Sequence, residues 1–310
     1  MDSTTNNNDR KTILAYLCVC IFWGSTYLAI RIGVSEFPPA LFAGIRFLIA
    51  GSLMVGYAKL KGWEFPSKAI DIKRISLVGI LLLAGGNGLI VWAEQWVHSG
   101  TASLFVATVP LYMAILEMLL PNSKKLGMKG WIGLLVGFSG VILLVYTNSG
   151  TGAIDLKGFI LLLCGPLFWS MGSVFSKSFK PSGSLVANIG IQMLAGGLLL
   201  TLIGLSIGET DRLSLTVKGV GAIIYLALFG SVLAYSCYIY ILQKWPAAKA
   251  GTYAYVNPPV AVLLGTLILN EPFTIQIILS SIIILLGVFL VQTSKYKEQQ
   301  PKEESQKQAI

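Results

Sequence analysis

The intervals between charged side chains decide what this chain can fold into. Nine stretches of at least 19 residues, at 12–30, 75–93, 95–116, 130–154, 158–176, 181–208, 219–243, 250–270 and 272–294, contain no Asp, Glu, Lys or Arg. A tenth, between Glu36 and Lys59, is interrupted only by Arg46. An α-helix rises about 1.5 Å per residue, so about 20 apolar residues cross the hydrocarbon core of a bilayer. Ten spans follow, and the expected fold class is an all-α integral membrane protein of ten transmembrane helices. Composition agrees: with 55% hydrophobic and 12% charged residues among 310, and a mean hydropathy of +0.73, there is too little polar surface to clothe a soluble globule. The lipid bilayer is the first partner the sequence calls for.

A net charge of +9 raises nucleic acid as a second partner, but a nucleic-acid surface gathers its basic residues on one face or stripe. Here they are parcelled out between apolar runs, so no nucleic acid is expected. With both termini cytoplasmic, the inward segments hold 18 Lys and Arg, and the outward loops hold only Lys157, Arg212 and Lys218. The expected location is the cell membrane, plasma or inner, with multiple passes. Cys18, Cys20, Cys164 and Cys237 fall within spans at spacings that fit neither a disulfide framework nor a metal site. They read as packing residues, and neither metal nor cofactor is expected. Arg10 and Lys11 ahead of an apolar run imitate a secretory leader, yet nine more spans follow, which makes the run a retained first helix.

The chain also resembles itself at an offset of about 147 residues. Phe22-Trp23-Gly24-Ser25 is echoed by Phe168-Trp169-Ser170, and Ala50-Gly51 by Ala195-Gly196-Gly197. Pro110 answers to Pro258, and Gly140-Val141-Ile142-Leu143 to Gly287-Val288-Phe289-Leu290. Five spans per half is an odd number, so the second half enters the membrane from the opposite side and the repeat is inverted. The expected organisation is a cytoplasmic tail at 1–11, a first five-helix repeat at 12–147, a linker loop at 148–155, a second repeat at 156–293 and a second tail at 294–310. Inverted repeats occur where a central site must open to either face in turn, which places transport ahead of a mere doubling of a packing unit.

Two tandem five-span halves, the Phe22-Trp23-Gly24-Ser25 start, Arg46-Phe47-Leu48 in the second span, and Pro258 with Glu271 thirteen residues on resemble the EamA family of the drug/metabolite transporter superfamily. The resemblance covers Thr12 to Thr293. It implies a ten-helix, exporter-type carrier whose central cavity is lined by helices 1, 3, 4, 6, 8 and 9 and whose substrates range over amino acids, other metabolites and drugs. The family's Glu after the fourth span is replaced here by Asn122-Ser123-Lys124-Lys125, which favours a structural or topological role for that Glu.

Arg46 lies roughly 12 Å into the second span counted from Pro38, where a guanidinium needs partners. It reads as a structural strut ahead of a partner for a substrate carboxylate, because the family commonly keeps an Arg here whatever its substrate. Pro110 and Pro258 free the carbonyls of Val106 and Ala254 near mid-span, and irregular backbone at that depth is tolerated where it lines a cavity. With Thr108 and Asn257 beside them, these two breaks mark the expected substrate level; the competing reading of each is a packing kink. Asn87, Gln192, Tyr235, Tyr238, Tyr253 and Tyr255 add neutral hydrogen-bonding groups, and Trp23 and Trp169 add aromatic surface at matched positions, a lining suited to zwitterions and aromatic or amphipathic metabolites. Each is individually also a candidate helix-to-helix contact. Glu117, the carboxylate inside a span, is the candidate for proton coupling, with an interfacial, snorkelled role as its alternative. Glu94 and His98 are expected to face water at the outer end of the third span.

The function expected is secondary transport of a small organic metabolite, by export and alternating access. A non-transporting scaffold or receptor subunit is the alternative, followed by a membrane-embedded lipid-modifying enzyme. One His in the whole chain disfavours the enzyme, and no P-loop motif is present to bind ATP. Substrate, direction and coupling ion stay open, and monomer and homodimer are both compatible with the sequence.

Overall fold

Apolar runs with no breaker inside them become long helices, and the turns between them fall where proline, glycine or a polar cap interrupts. The computed structural model describes residues 3–96, 102, 105–120, 124–148, 156–214, 216–269 and 275–298. In chain order the helices are α1 (Ser3–Glu36), α2 (Pro39–Leu60), α3 (Ala69–Ala93), α4 (Val109–Glu117), α5 (Met128–Asn148), α6 (Leu156–Ser176), α7 (Leu185–Ser206), α8 (Val217–Lys244), α9 (Ala247–Gly251), α10 (Tyr253–Leu269) and α11 (Ile275–Gln292). Among the described residues, six helical stretches are long and apolar enough to cross a membrane: α1 from Asp9, α2, α3, α6, α7 and α8. The chain is a multi-pass membrane protein.

The ends of these helices are chemically specified. Pro39 opens α2, where a missing N–H costs nothing, and the left-handed backbone of Gly62 (φ 67°) follows its end. Ser184 caps α7 by accepting from Ala187 N at 3.3 Å, and Thr216 caps α8 by accepting from Gly219 N at 3.0 Å. The carboxylate of Glu209, in a short 3-10 turn after α7, accepts from the N–H groups of Ala40 and Leu41 at 3.3 and 2.8 Å and so caps α2 from across the molecule.

Inside a bilayer, helices associate through close van der Waals packing, because lipid tails compete for any apolar face. The most extensive contacts are α2 with α7 and α5 with α11. Both are built on glycine. A Cβ on Gly51 would stand 2.9 Å from Leu194 N, and one on Gly197 2.9 Å from Leu48 N, so the α2 and α7 backbones touch. Gly133 and Gly140 face Gly287, Val291 and Ile284 in the same manner. Next come α3 with α6, α1 with α8, α3 with α7 and α1 with α10, and α4 also packs on α6. Outside these contacts, Leu14, Leu17, Ile21, Leu53, Leu135, Leu198, Leu202, Ile282 and Phe289 are exposed, an apolar surface that requires hydrocarbon as its solvent.

Two features of the helices echo one another along the chain. The helices α2 and α7 have 22 residues each and begin 146 residues apart, at 39 and 185. Wide π-helical segments interrupt α3 at Ile80–Gly88 and α8 at Leu226–Tyr235, again beginning 146 residues apart.

Parts of both polar ends hold regular structure. The helix α1 starts at Ser3, inside the segment 1–11, because no proline or glycine there stops it. At the other end Tyr296–Glu298 pairs antiparallel with Lys124–Leu126, Leu126 opposite Tyr296, so part of 294–310 is strand. Backbone pairing of so short a segment leaves no apolar periodicity to read. The expected linker at 148–155, apart from Asn148, lies outside the described residues, as do His98, Asn122, Ser123 and Glu271.

Candidate functional site

Where α1, α2, α3, α4, α6, α8 and α10 converge they leave a partly open cavity, with about 660 Å³ of space between the atoms when its open mouth is included. The interior-facing sides of α1 and α6 put the two matched tryptophans against it: the rings of Trp23 and Trp169 meet edge to face, with centroids 5.4 Å apart. Tyr253 of α10 packs on Trp23 at 4.7 Å, and Tyr235 of α8 lies 6.3 Å from Trp169. The two indole N–H groups differ. Trp23 Nε1 donates to the carbonyl of Gly230 at 2.9 Å, in the wide segment of α8, whereas Trp169 Nε1 is buried without a partner. Tyr235 donates to Gln192 Oε1 at 2.8 Å.

Polar groups are few and pointed. Arg46 is 4% exposed; its Nη2 donates to Asn87 Oδ1 at 2.8 Å, its guanidinium lies 4.2 Å from the centroid of the Phe47 ring, and its Nε is buried without an acceptor. Asn257 Oδ1 and Glu94 Oε1 are buried without donors. All of these residues line the cavity. Its walls thus bury one guanidinium N–H, one indole N–H, one amide oxygen and one carboxyl oxygen without partners, among groups otherwise mainly aromatic and aliphatic. Among the described residues no group of three or more His, Cys, Asp or Glu could hold a metal ion.

Seven of the residues singled out from sequence therefore line one cavity: Trp23, Arg46, Asn87, Trp169, Tyr235, Tyr253 and Asn257. Six others do not, each for a local reason: Gln192 lies behind Tyr235 as its acceptor, and Tyr255 donates to Leu134 O at 3.0 Å on the α5 side. Thr108 turns its hydroxyl back to Phe105 O at 2.5 Å, and Pro110 sits in the first turn of α4, packed toward Gly251. Tyr238 lies behind the two tryptophans, 5.2 and 5.4 Å from their rings, with its hydroxyl bonded to Ser173 Oγ at 2.5 Å. Pro258 is buried in α10 beside Pro259 and off the cavity surface.

Glu117 is buried at a junction of helices. It is 6% exposed and away from the cavity; both its oxygens accept from Ala247 N at 3.0 Å, and Lys177 Nζ lies 3.9 Å away. Its chemistry is that of a cap: it satisfies the first turn of α9, while Lys177 donates to the carbonyls of Leu242 and Trp245 at the end of α8.

A model of the EamA-like transporter family matches residues 10–146 and again 156–293. This chain belongs to the EamA-like transporter family. Membership is accompanied by full-length relatives. The uncharacterized inner membrane transporter YedA of Escherichia coli (strain K12) is 39% identical over 285 residues, which cover 91% of this chain and 90% of YedA. The uncharacterized transporter YoaV of Bacillus subtilis (strain 168) is 25% identical over 284 residues, 90% of this chain and 96% of YoaV. A solved crystal structure covers 90% of this chain at a TM-score of 0.75 and 18% identity, a likeness of fold.

Within this EamA-like fold, the cavity residues missed from sequence include Tyr27 and Glu94. Both were within reach of a helical-face argument. Tyr27 is four residues after Trp23, and Leu83, Asn87, Ile90 and Glu94 recur at helical spacing along α3. Glu94 bounds an apolar run, and a boundary charge reads as a water-facing one.

Proposed function

We propose that this chain is a secondary carrier that binds a small organic metabolite in the central cavity and exports it by alternating access, through ten crossings arranged as two inverted five-helix halves. The observation that carries the reading is the cavity itself: aromatic surface and a few unpartnered polar groups buried in a membrane-spanning fold, contributed by both halves of the chain. Symmetry of packing supports the inverted arrangement. Exchanging the halves maps α2 with α7 onto itself, α5 with α11 onto itself, the α1–α8 contact onto α6–α3 and the α1–α10 contact onto α6–α4. The positive-inside bias and the inner-membrane relative YedA support a cell-membrane location with both termini cytoplasmic.

In this reading Arg46 is strut and ligand at once: its bond to Asn87 ties α2 to α3, and its free Nε meets an acidic group of the cargo. Purified protein in proteoliposomes should give saturable movement of at least one member of a broad metabolite panel. Arg46→Ala should lower both the amount of folded protein and transport. Movement of nothing in the panel, with no ligand detected by tryptophan fluorescence, rejects the carrier.

A further inference from the structure

Trp23 and Trp169 stand 146 residues apart, the same offset that separates the wide segments of α3 and α8. The Trp23 indole donates to the carbonyl of Gly230, the fifth residue of the α8 segment, at 2.9 Å. Moved by 146 residues, that pair becomes Trp169 and Ala84, the fifth residue of the α3 segment. The helix α6 packs on the α3 segment as α1 packs on the α8 segment, and a Cβ on Gly86 would stand 2.9 Å from the Trp169 ring. Yet Trp169, 7% exposed, leaves its N–H unbonded, with the hydroxyls of Tyr238 and Tyr253 as neighbours that do not take it up. A buried donor without an acceptor is costly, and wide helical segments at cavity depth are where a carbonyl can turn to an outside donor.

The asymmetry also has a direction. Along α1 the cavity wall runs from Trp23 through Tyr27 to Ile30, and Cys20 and Tyr16 continue the same face past its inner end. There the Tyr16 hydroxyl and Thr252 Oγ1 share a hydrogen bond of 2.8 Å, Gln292 Nε2 donates to the same Oγ1 at 3.0 Å, and the Tyr16 and Trp245 rings meet at 5.4 Å. These groups close that side, and Cys20 behind the tryptophans is 3% exposed.

We propose that the two indole N–H groups are the alternating latches of an access switch. In the conformation described, Trp23 holds Gly230 and Trp169 is free; in the conformation open on the Tyr16 side, Trp169 donates to the carbonyl of Ala84 and Trp23 lets go. Each conformation has one indole hydrogen bond, so neither is trapped by these groups. The switch rests on the alternating-access reading above, in which two similar halves exchange conformations and with them the side that is open.

The test uses the full-length protein in lipid nanodiscs, where both faces meet the reagent 2-(trimethylammonium)ethyl methanethiosulfonate, and reads modification of the native Cys20 by tandem mass spectrometry. Trp23→Phe removes the latch of the present conformation and should speed modification about fivefold, the effect of one hydrogen bond; Trp169→Phe removes the latch of the other and should slow it by a similar factor. Changes in the same direction, as looser packing alone would give, overturn the proposal. A second measurement leaves both tryptophans in place: nitrogen-15 NMR of the indole N–H groups in Thr252→Val, or in Tyr16→Phe, each of which removes the bond that closes the Tyr16 side. The Trp23 signal should move toward the free-indole position while the Trp169 signal moves toward the hydrogen-bonded one. A Trp169 signal that stays free while Cys20 becomes reactive also overturns it. Transport is read separately: reciprocal indole shifts in a protein that moves no metabolite refute the carrier and leave the latches standing, whereas transport without reciprocal shifts refutes the latches alone.

Discussion

Trp23 and Trp169 occupy matched positions in α1 and α6, yet their indole N–H groups end differently, one on the carbonyl of Gly230 and one on nothing. The difference separates their mutational effects. Both Trp→Phe changes lose packing, but Trp23→Phe also strands a backbone carbonyl at a further cost of about 1–3 kcal/mol, so Trp169→Phe should be the less destabilising of the two in thermal unfolding in detergent while weakening cargo binding. Equal losses of stability would show that the two rings play the same part. Asn87→Ala leaves Arg46 with a buried, unanswered Nη2 and should cost about 1.5–3 kcal/mol, the range for hydrogen bonds to charged groups, read as a lower melting temperature. These residues were legible in the sequence because aromatic and amide side chains inside apolar runs must find a use. Thr108 was not, since a hydroxyl in a helix can satisfy itself on the carbonyl three residues back.

At the level of helices, the tightest junctions are glycine surfaces and carboxylate caps. Gly51→Leu drives a side chain into the backbone of α7 at Leu194, and overpacking of that kind costs about 1–3 kcal/mol even where the neighbours can shift. The expected result is loss of folded protein by size-exclusion chromatography, with Gly56→Leu as the control because nothing lies within 4 Å of that position. Glu117→Ala removes the cap of α9 and the charge beside Lys177, and should lower stability by about 0.5–2 kcal/mol without abolishing cargo binding, because neither group reaches the cavity. Gly133 and Gly137, four residues apart, have the spacing of close helix packing in the sequence itself. The caps could not be read there, because Glu117 meets α9 and Glu209 meets α2 across more than a hundred residues of chain. A proline likewise shows where a helix is interrupted but not which face is left open, which is why Pro110 and Pro258 were expected at the cavity and lie beside it.

For the whole molecule, the largest junctions are shared between the first and second halves of the sequence. Neither half alone can cover its glycine faces, so co-expressed fragments 1–150 and 151–310 should purify together, and each expressed singly should be degraded. Independent accumulation of either fragment would contradict that dependence. Reporter tags on the first and last residues should both be active on the cytoplasmic side, and a tag active on opposite sides would break the inverted arrangement. The membrane class and the twofold organisation were readable because bilayer thickness imposes a ruler on the sequence; side-chain partnerships were not, because no ruler governs contacts between distant segments. The π-helical segments of α3 and α8 illustrate this. Each holds an additional peptide unit within a helix that crosses the membrane, and tightening either coil to ordinary pitch would swivel the groups toward its far end, Asn87 in one case and Tyr235 in the other. A helix carrying such slack can re-aim the groups that grip a cargo without sliding along its neighbours.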